Sequence, residues 1–254
     1  MKNISLSLCS FIVSLLVGCG GCIQKTTPAL PYGNFVKITK RLEISKCKEK
    51  ESKFCMEATF MHSGSGLALG TLHSPLGEGS IILTAGHICT ANITDKARDH
   101  IEEYKMSLTI TDSNNHVYRT IIVNTNNVDK GEADLCLLYS KGFLSDFVKY
   151  SMQNNNRGDR LYNLASPVGV FHPPNMPILD GLFSGRMNNT TDLTTVPAIG
   201  GSSGSAVFND NGELVGVIYA SVVNFPHVSL MTNRITTQDF IIKSLELLQS
   251  NPGL

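Results

Sequence analysis

Short apolar stretches alternate with turn residues along most of the chain. Runs of this kind at residues 56–61, 67–72, 80–84, 107–112 and 116–123 predict strands, the last two joined by a hairpin at Ser113-Asn114-Asn115. Residues 135–139 are almost wholly apolar, the pattern of a buried strand. The style repeats at 161–165, 181–187, 206–209, 214–220 and 228–232. Helical spacing is firm only near the end, where Thr237 precedes Ile241, Ile242, Leu245 and Leu248. The body is therefore expected to be mostly β, in two halves of about a hundred residues each. The polar stretch 153–159, with three consecutive asparagines, is read as the linker between them. The other reading is one long surface loop.

The N-terminus follows a different pattern. One charge, Lys2, precedes an apolar run over residues 4–17, which closes on Leu16-Val17-Gly18-Cys19. The run is short for a spanning helix. It resembles the bacterial lipoprotein signal, which implies removal of residues 1–18 and lipidation of Cys19. An ordinary secretory signal and a retained anchor are the other readings. Residues 19–33, with Pro28 and Pro31, are expected to tether the anchor to a folded part over residues 34–254.

Composition narrows the function classes. Lys plus Arg is 21 and Asp plus Glu is 21, so the basic surplus that phosphate recognition needs is missing and no nucleic-acid partner is expected. Apolar residues at 42% against 17% charged exclude wholesale disorder. Beyond residue 18 six cysteines remain: Cys19, Cys22, Cys47, Cys55, Cys89 and Cys136. In an exported chain they meet an oxidising compartment, and a disulfide from Cys47 to Cys55 would close the charged run 48–53. Cys19 and Cys22 have no second pair to match them, so no metal site is expected.

Three segments carry candidate chemistry. In Gly200-Gly201-Ser202-Ser203-Gly204-Ser205 a serine sits between glycines ahead of an apolar strand, which suits a nucleophile on a tight turn. Thr84-Ala85-Gly86-His87 follows the strand at 80–84, so His87 at a strand end can serve as a general base. Asp134 opens the apolar strand at 135–139, where an unpaired carboxylate would be costly to bury and an imidazole N–H would partner it. Each segment alone also has a plain structural reading, as turn, strand end or solvated loop.

Together, in the chain order His, Asp, Ser, the three segments resemble the chymotrypsin-like (trypsin-like) serine proteases. The stretches 63–69, 164–169, 182–186 and 211–217 are similar to the compact bacterial branch, which includes the HtrA protease domain and the glutamyl endopeptidases. The resemblance implies two packed six-stranded antiparallel β-barrels, the first over about 34–152 and the second, with the C-terminal helix, over about 160–250. It implies that Ser203 attacks, His87 is the base, Asp134 orients it, and the Gly201 and Ser203 N–H groups form the oxyanion hole. No cofactor is implied, and the partner is a polypeptide substrate.

The chain departs from the family at Ser205, where a second glycine is usual, and at Cys89, which Ile88 separates from the histidine. Cys89 and Cys136 each lie two residues beyond a triad position, so they either approach each other or remain two buried thiols. The resemblance places Pro197, Ile218, Tyr219, Ala220 and Ser221 at the substrate pocket. The relatives that prefer basic residues carry an Asp where Pro197 stands, and those that prefer glutamate a His where Ile218 stands, so the resemblance implies neither preference and an apolar or small residue before the cut is expected. The expected function is an exported, lipid-anchored serine endopeptidase. The alternative is a catalytically idle protein of the same fold that binds peptides or partners at the cell envelope.

Overall fold

The computed structural model describes residues 28–48, 55–126, 132–170 and 176–250. The segment read as a signal, Cys19 and Cys22 lie outside them. The first half comprises β1 (Phe35–Cys47), β2 (Ala58–Ser74), β3 (Gly77–Thr84), β4 (Ile101–Thr111), β5 (Val117–Arg119), β6 (Ile121–Thr125) and β7 (Cys136–Lys141). The second comprises β8 (Arg160–Leu164), β9 (Ile178–Arg186), β10 (Thr191–Thr194), β11 (Ala206–Phe208), β12 (Leu214–Val222) and β13 (Phe225–Asn233), followed by a helix, Arg234–Ser250.

The second half closes as expected, in the order β10-β13-β12-β11-β8-β9. The first departs from six strands and is a seven-stranded sheet, β5-β4-β1-β2-β3-β7-β6. Its two outermost strands are consecutive pieces of one segment, parted only at Thr120, whose N–H and hydroxyl both turn to the Leu108 carbonyl. The sheet thus curls round to meet itself at that break, and the single strand expected over 116–123 is split between its two edges. The hairpin before it stands where expected. Asp112 Oδ1 accepts the N–H groups of Asn114 and His116 at 2.8 Å, and Asn115 takes the left-handed conformation such turns need.

Three corrections concern boundaries. Within the stretch read as tether, Leu30 is buried in the apolar cluster that also contains Phe35. The first half does not run to 152. Lys149 C=O accepts from Leu214 N–H and Ser151 N–H donates to Leu214 C=O, so that stretch already pairs with β12. The helix starts before Thr237, with Asn233 Oδ1 capping Thr236 N–H at 2.9 Å.

One apolar cluster joins the halves. Leu67, Leu83, Leu135, Leu137 and Tyr139 from the first meet Leu164, Phe208, Val217 and the helix residues Phe240, Ile241 and Leu248. On β7 the alternate residues Cys136 and Leu138 face the interior of the first sheet instead. That is why residues 135–139 read as a continuous apolar run: one face fills a barrel and the other seals the interface. The final helix is tied to the first half as well, through Asn124 Nδ2 donating to Ser244 Oγ at 2.9 Å.

Candidate active site

His87 stands in a 3-10 turn, Gly86–Cys89, immediately beyond the end of β3. Asp134 lies just before β7, the neighbour of β3, so the pairing of Thr84 with Cys136 brings the two together. Asp134 is 5% exposed, and its carboxylate takes two hydrogen bonds from one residue. Oδ1 accepts the His87 backbone N–H at 2.8 Å, and Oδ2 accepts the His87 Nδ1 proton at 2.6 Å. The second bond fixes the tautomer: with the proton on Nδ1, Nε2 keeps its lone pair.

The histidine turn is held from behind as well. Lys40, 3% exposed on β1, donates from Nζ to the carbonyls of His87 at 3.2 Å and Thr90 at 3.1 Å. Burial pushes the Lys40 ammonium below the ordinary lysine value. Asn92 Nδ2 donates to the same His87 carbonyl at 3.0 Å. Cys89 and Cys136 form a disulfide, which joins the segment carrying His87 to the segment carrying Asp134. Cys47 and Cys55 form a second one.

Three serines crowd the loop ahead of β11. Ser202 is 1% exposed and its Oγ accepts the Ile199 N–H; Ser205 is fully buried and its Oγ accepts from Asn163 Nδ2 at 2.8 Å. Ser203 alone of the three is partly open, and its hydroxyl has no hydrogen-bond partner among the described residues. Its loop is seated on the strand end that leads to His87. Gly204 has φ +87°, and a Cβ there would overlap Thr84 Oγ1 and the Ser65 carbonyl, so only glycine fits. The Ser205 departure is absorbed by the interior Asn163, whose Nδ2 also reaches the Ala206 carbonyl at 2.9 Å.

The backbone of this loop is oriented peptide by peptide. Ile199 C=O accepts from Ser202 N–H, closing a turn with Gly201 at its third position and φ +95°, the type II geometry. In a trans peptide the N–H points away from the C=O. The Gly200 carbonyl is held by the Val168 N–H at 2.6 Å, and the Ser202 carbonyl by the Ser205 N–H at 3.0 Å. The Gly201 and Ser203 N–H groups therefore face away from those partners, and neither donates to a described residue. Val168, an exposed β-branched residue, makes its hydrogen bond from φ +47°, a strained conformation for that side chain.

Beside Ser203 lies a cleft of about 160 Å³ lined by Ala198, Ile199, Gly200, Ile218, Ala220 and Ser221. No charged side chain lines it. Pro197 is exposed and Tyr219 faces elsewhere, so these two expected pocket residues are not part of it. The pairing of β12 with β13 slips between Ile218 and Ala220, and this bulge turns Tyr219 towards the first barrel. Its hydroxyl meets Thr191 Oγ1 of β10 at 3.1 Å, and burial, assisted by the Asp134 charge, raises the phenol above its ordinary value. Larger hollows of about 540 and 660 Å³ on the first barrel contain none of His87, Asp134 and Ser203.

The family described as trypsin-like peptidase domain matches residues 64–217, which is more than half of the chain and includes all three segments. The chain belongs to the trypsin-like peptidase family. Among solved structures, the active form of the Rv3671c protease from M. tuberculosis is similar with a TM-score of 0.59 at 12% identity, over 86% of this chain and 82% of that one. The serine endoprotease from Yersinia pestis gives 0.57 at 16%, over 88% of this chain and 66% of that one. At such identities the likeness is one of fold, and the fold is that of the chymotrypsin-like serine proteases. No curated protein is similar enough in sequence to match.

Lys40, Asn163, Val168 and Ser65 support the site from outside the three segments that carry its candidate chemistry. Lys40 carries the one legible signal, a lysine at an inward position of a strand that alternates buried and open residues. The others act through partners distant along the chain.

Proposed function

We propose that this trypsin-like peptidase is an active serine endopeptidase whose triad is His87, Asp134 and Ser203. The observation that carries the reading is the buried Asp134 carboxylate holding both the N–H and the Nδ1 proton of His87, which leaves Nε2 as a base. As Ser203 Oγ attacks the scissile carbonyl carbon, its proton passes to Nε2. Asp134 stabilises the imidazolium that results. The carbonyl oxygen becomes an oxyanion that the Gly201 and Ser203 N–H groups are free to receive. Collapse expels the amine, which takes the Nε2 proton. Water, activated by the same nitrogen, then releases the acyl group from Ser203. The Ser203–His87 hydrogen bond is of the kind that closes in the Michaelis complex.

The cleft supports a small or apolar residue before the cut. Its volume of about 160 Å³ is below the roughly 300–1,000 Å³ of ordinary ligand pockets, and a charged side chain would find no partner in its lining. The N-terminal pattern ending in Leu16-Val17-Gly18-Cys19 supports export and attachment to a membrane through Cys19, with the protease domain held at the cell envelope.

Fluorophosphonate labelling tests the active reading. The folded protein is expected to take up one label, which peptide mapping finds on Ser203; a folded sample that takes up none would favour the idle, peptide-binding alternative. Gly201→Ala probes the oxyanion donors. The added Cβ would overlap the Ser166 carbonyl and oppose φ +95°, so the turn must change type and the Gly201 N–H swings away. Turnover is expected to fall about 10²–10³-fold, the range for losing one such donor. A drop of less than threefold would contradict the role given to that N–H.

A further inference from the structure

The oxyanion turn belongs to the second barrel, yet part of its support comes from the first. Ser65 lies on β2, fully buried, where β1 pairs with it at Lys37. Its hydroxyl donates to the Gly201 carbonyl at 2.8 Å and accepts the Ser166 N–H at 2.9 Å. These roles are unambiguous, because a carbonyl can only accept and an amide N–H can only donate. Its own N–H donates to the Ser203 carbonyl at 2.8 Å, and its carbonyl accepts from Thr84 Oγ1 at 2.8 Å. One residue thus touches the nucleophile loop, the turn beyond β8 and the strand end before His87.

One hydroxyl bond holds the peptide after Gly201, and the other anchors the turn that grips the peptide before it. Gly201 sits between two peptides. The carbonyl on its N-terminal side is gripped by Val168 N–H, and the carbonyl on its C-terminal side by Ser65 Oγ. Val168 belongs to the turn Pro167–Gly169, which adjoins Ser166, the other partner of the Ser65 hydroxyl. Ser65 therefore holds Gly201 directly and steadies the strained turn that holds Gly200. Removing the hydroxyl would leave a buried carbonyl and a buried N–H each short of a partner, which the loop can relieve only by moving.

We propose that Ser65 is a positioning residue for the oxyanion donors, reaching from one barrel into the other to keep the Gly201 N–H aimed at the cleft. This rests on the reading of the Gly201 and Ser203 N–H groups as those donors. It goes further by assigning their alignment to a first-barrel side chain that touches no substrate. Such a residue should affect the transition state and leave ground-state binding alone, since the lining of the cleft does not include it.

The test compares wild type, Ser65→Ala and Ser65→Cys on one peptide substrate. Folding is checked by melting curves, and a peptide boronic acid serves as a mimic of the tetrahedral state. In Ser65→Ala, kcat is expected to fall roughly 10- to 100-fold with KM within twofold, and the boronic acid should weaken by the same factor as kcat/KM. Ser65→Cys keeps the volume but offers only a weak S–H donor, so it should fall on the same line with a loss between the other two. The proposal is overturned if folded Ser65→Ala keeps wild-type kcat. It is equally overturned if the loss appears in KM alone, or if Ser65→Cys matches wild type, which would make the residue a space-filler. Should Ser65→Ala not fold, the cysteine variant decides alone. A wild-type protein that neither turns over peptide nor takes up fluorophosphonate removes the underlying active-site reading, and this proposal with it. An active wild type with an indifferent Ser65 removes only the latter.

Discussion

Ser203→Ala is expected to lower kcat on a peptide substrate by on the order of 10⁶-fold, with the fold and melting temperature little changed. The size follows from the chemistry. Without Oγ no acyl-enzyme forms, and the two free N–H groups and the cleft retain only the modest catalysis that binding and oxyanion stabilisation provide. The stability expectation follows from the surroundings, since the Ser203 hydroxyl has no described hydrogen-bond partner to lose. Ser202→Ala is the matched control. That hydroxyl is buried and spent on the Ile199 N–H, so its removal should cost the loop some stability without comparable loss of turnover. Steady-state kinetics on both variants checks the assignment, and comparable losses in the two would count against Ser203 as the nucleophile.

Asp134→Asn is expected to reduce kcat/KM by about 10⁴-fold near neutral pH, the loss typical of this change in such triads. The carboxylate now accepts from both the N–H and Nδ1 of His87. An amide can keep one of those bonds, but its NH₂ group would present a donor to the ring. The imidazole then turns to the tautomer protonated on Nε2 and loses its basic lone pair where Ser203 needs it. The charge that steadies the imidazolium disappears as well. Fluorophosphonate labelling should slow in parallel, because it requires the same proton transfer. A variant that folds and loses less than tenfold would show that Asp134 does not orient the base.

Both predictions concern residues legible in the sequence, and the reason is local. Asp134 stands before a run apolar on both faces, His87 follows the strand that pairs with it, and Ser203 lies in a loop whose glycines permit φ of +95° and +87°. The strands at 80–84, 135–139, 206–209 and 214–220 were legible for the same reason, since their apolar residues face a barrel interior or the seam between the halves. β1 went unread. Its Lys37, Lys40, Arg41, Glu43 and Lys46 hide an alternation that becomes clear only when Lys40 is seen turned inward, with two carbonyls to satisfy it. β10 is four residues long and mostly polar, too short to register a period.

Residue type and local spacing marked candidate groups, and only the resemblance of the three segments taken together assigned them roles. Residue type and spacing also determined where the backbone must bend. Tertiary structure decided what those groups touch. Cys89 and Cys136, 47 residues apart, join because β3 and β7 are neighbours, and no spacing rule distinguishes that outcome from two free thiols. Tyr219 leaves the pocket because one bulge reverses its face. Ser65 reaches Gly201 across 136 residues of chain because two barrels pack through a shared core. Hydrogen bonds act over about 3 Å, so a bond between distant segments exists only once packing has brought them within that range.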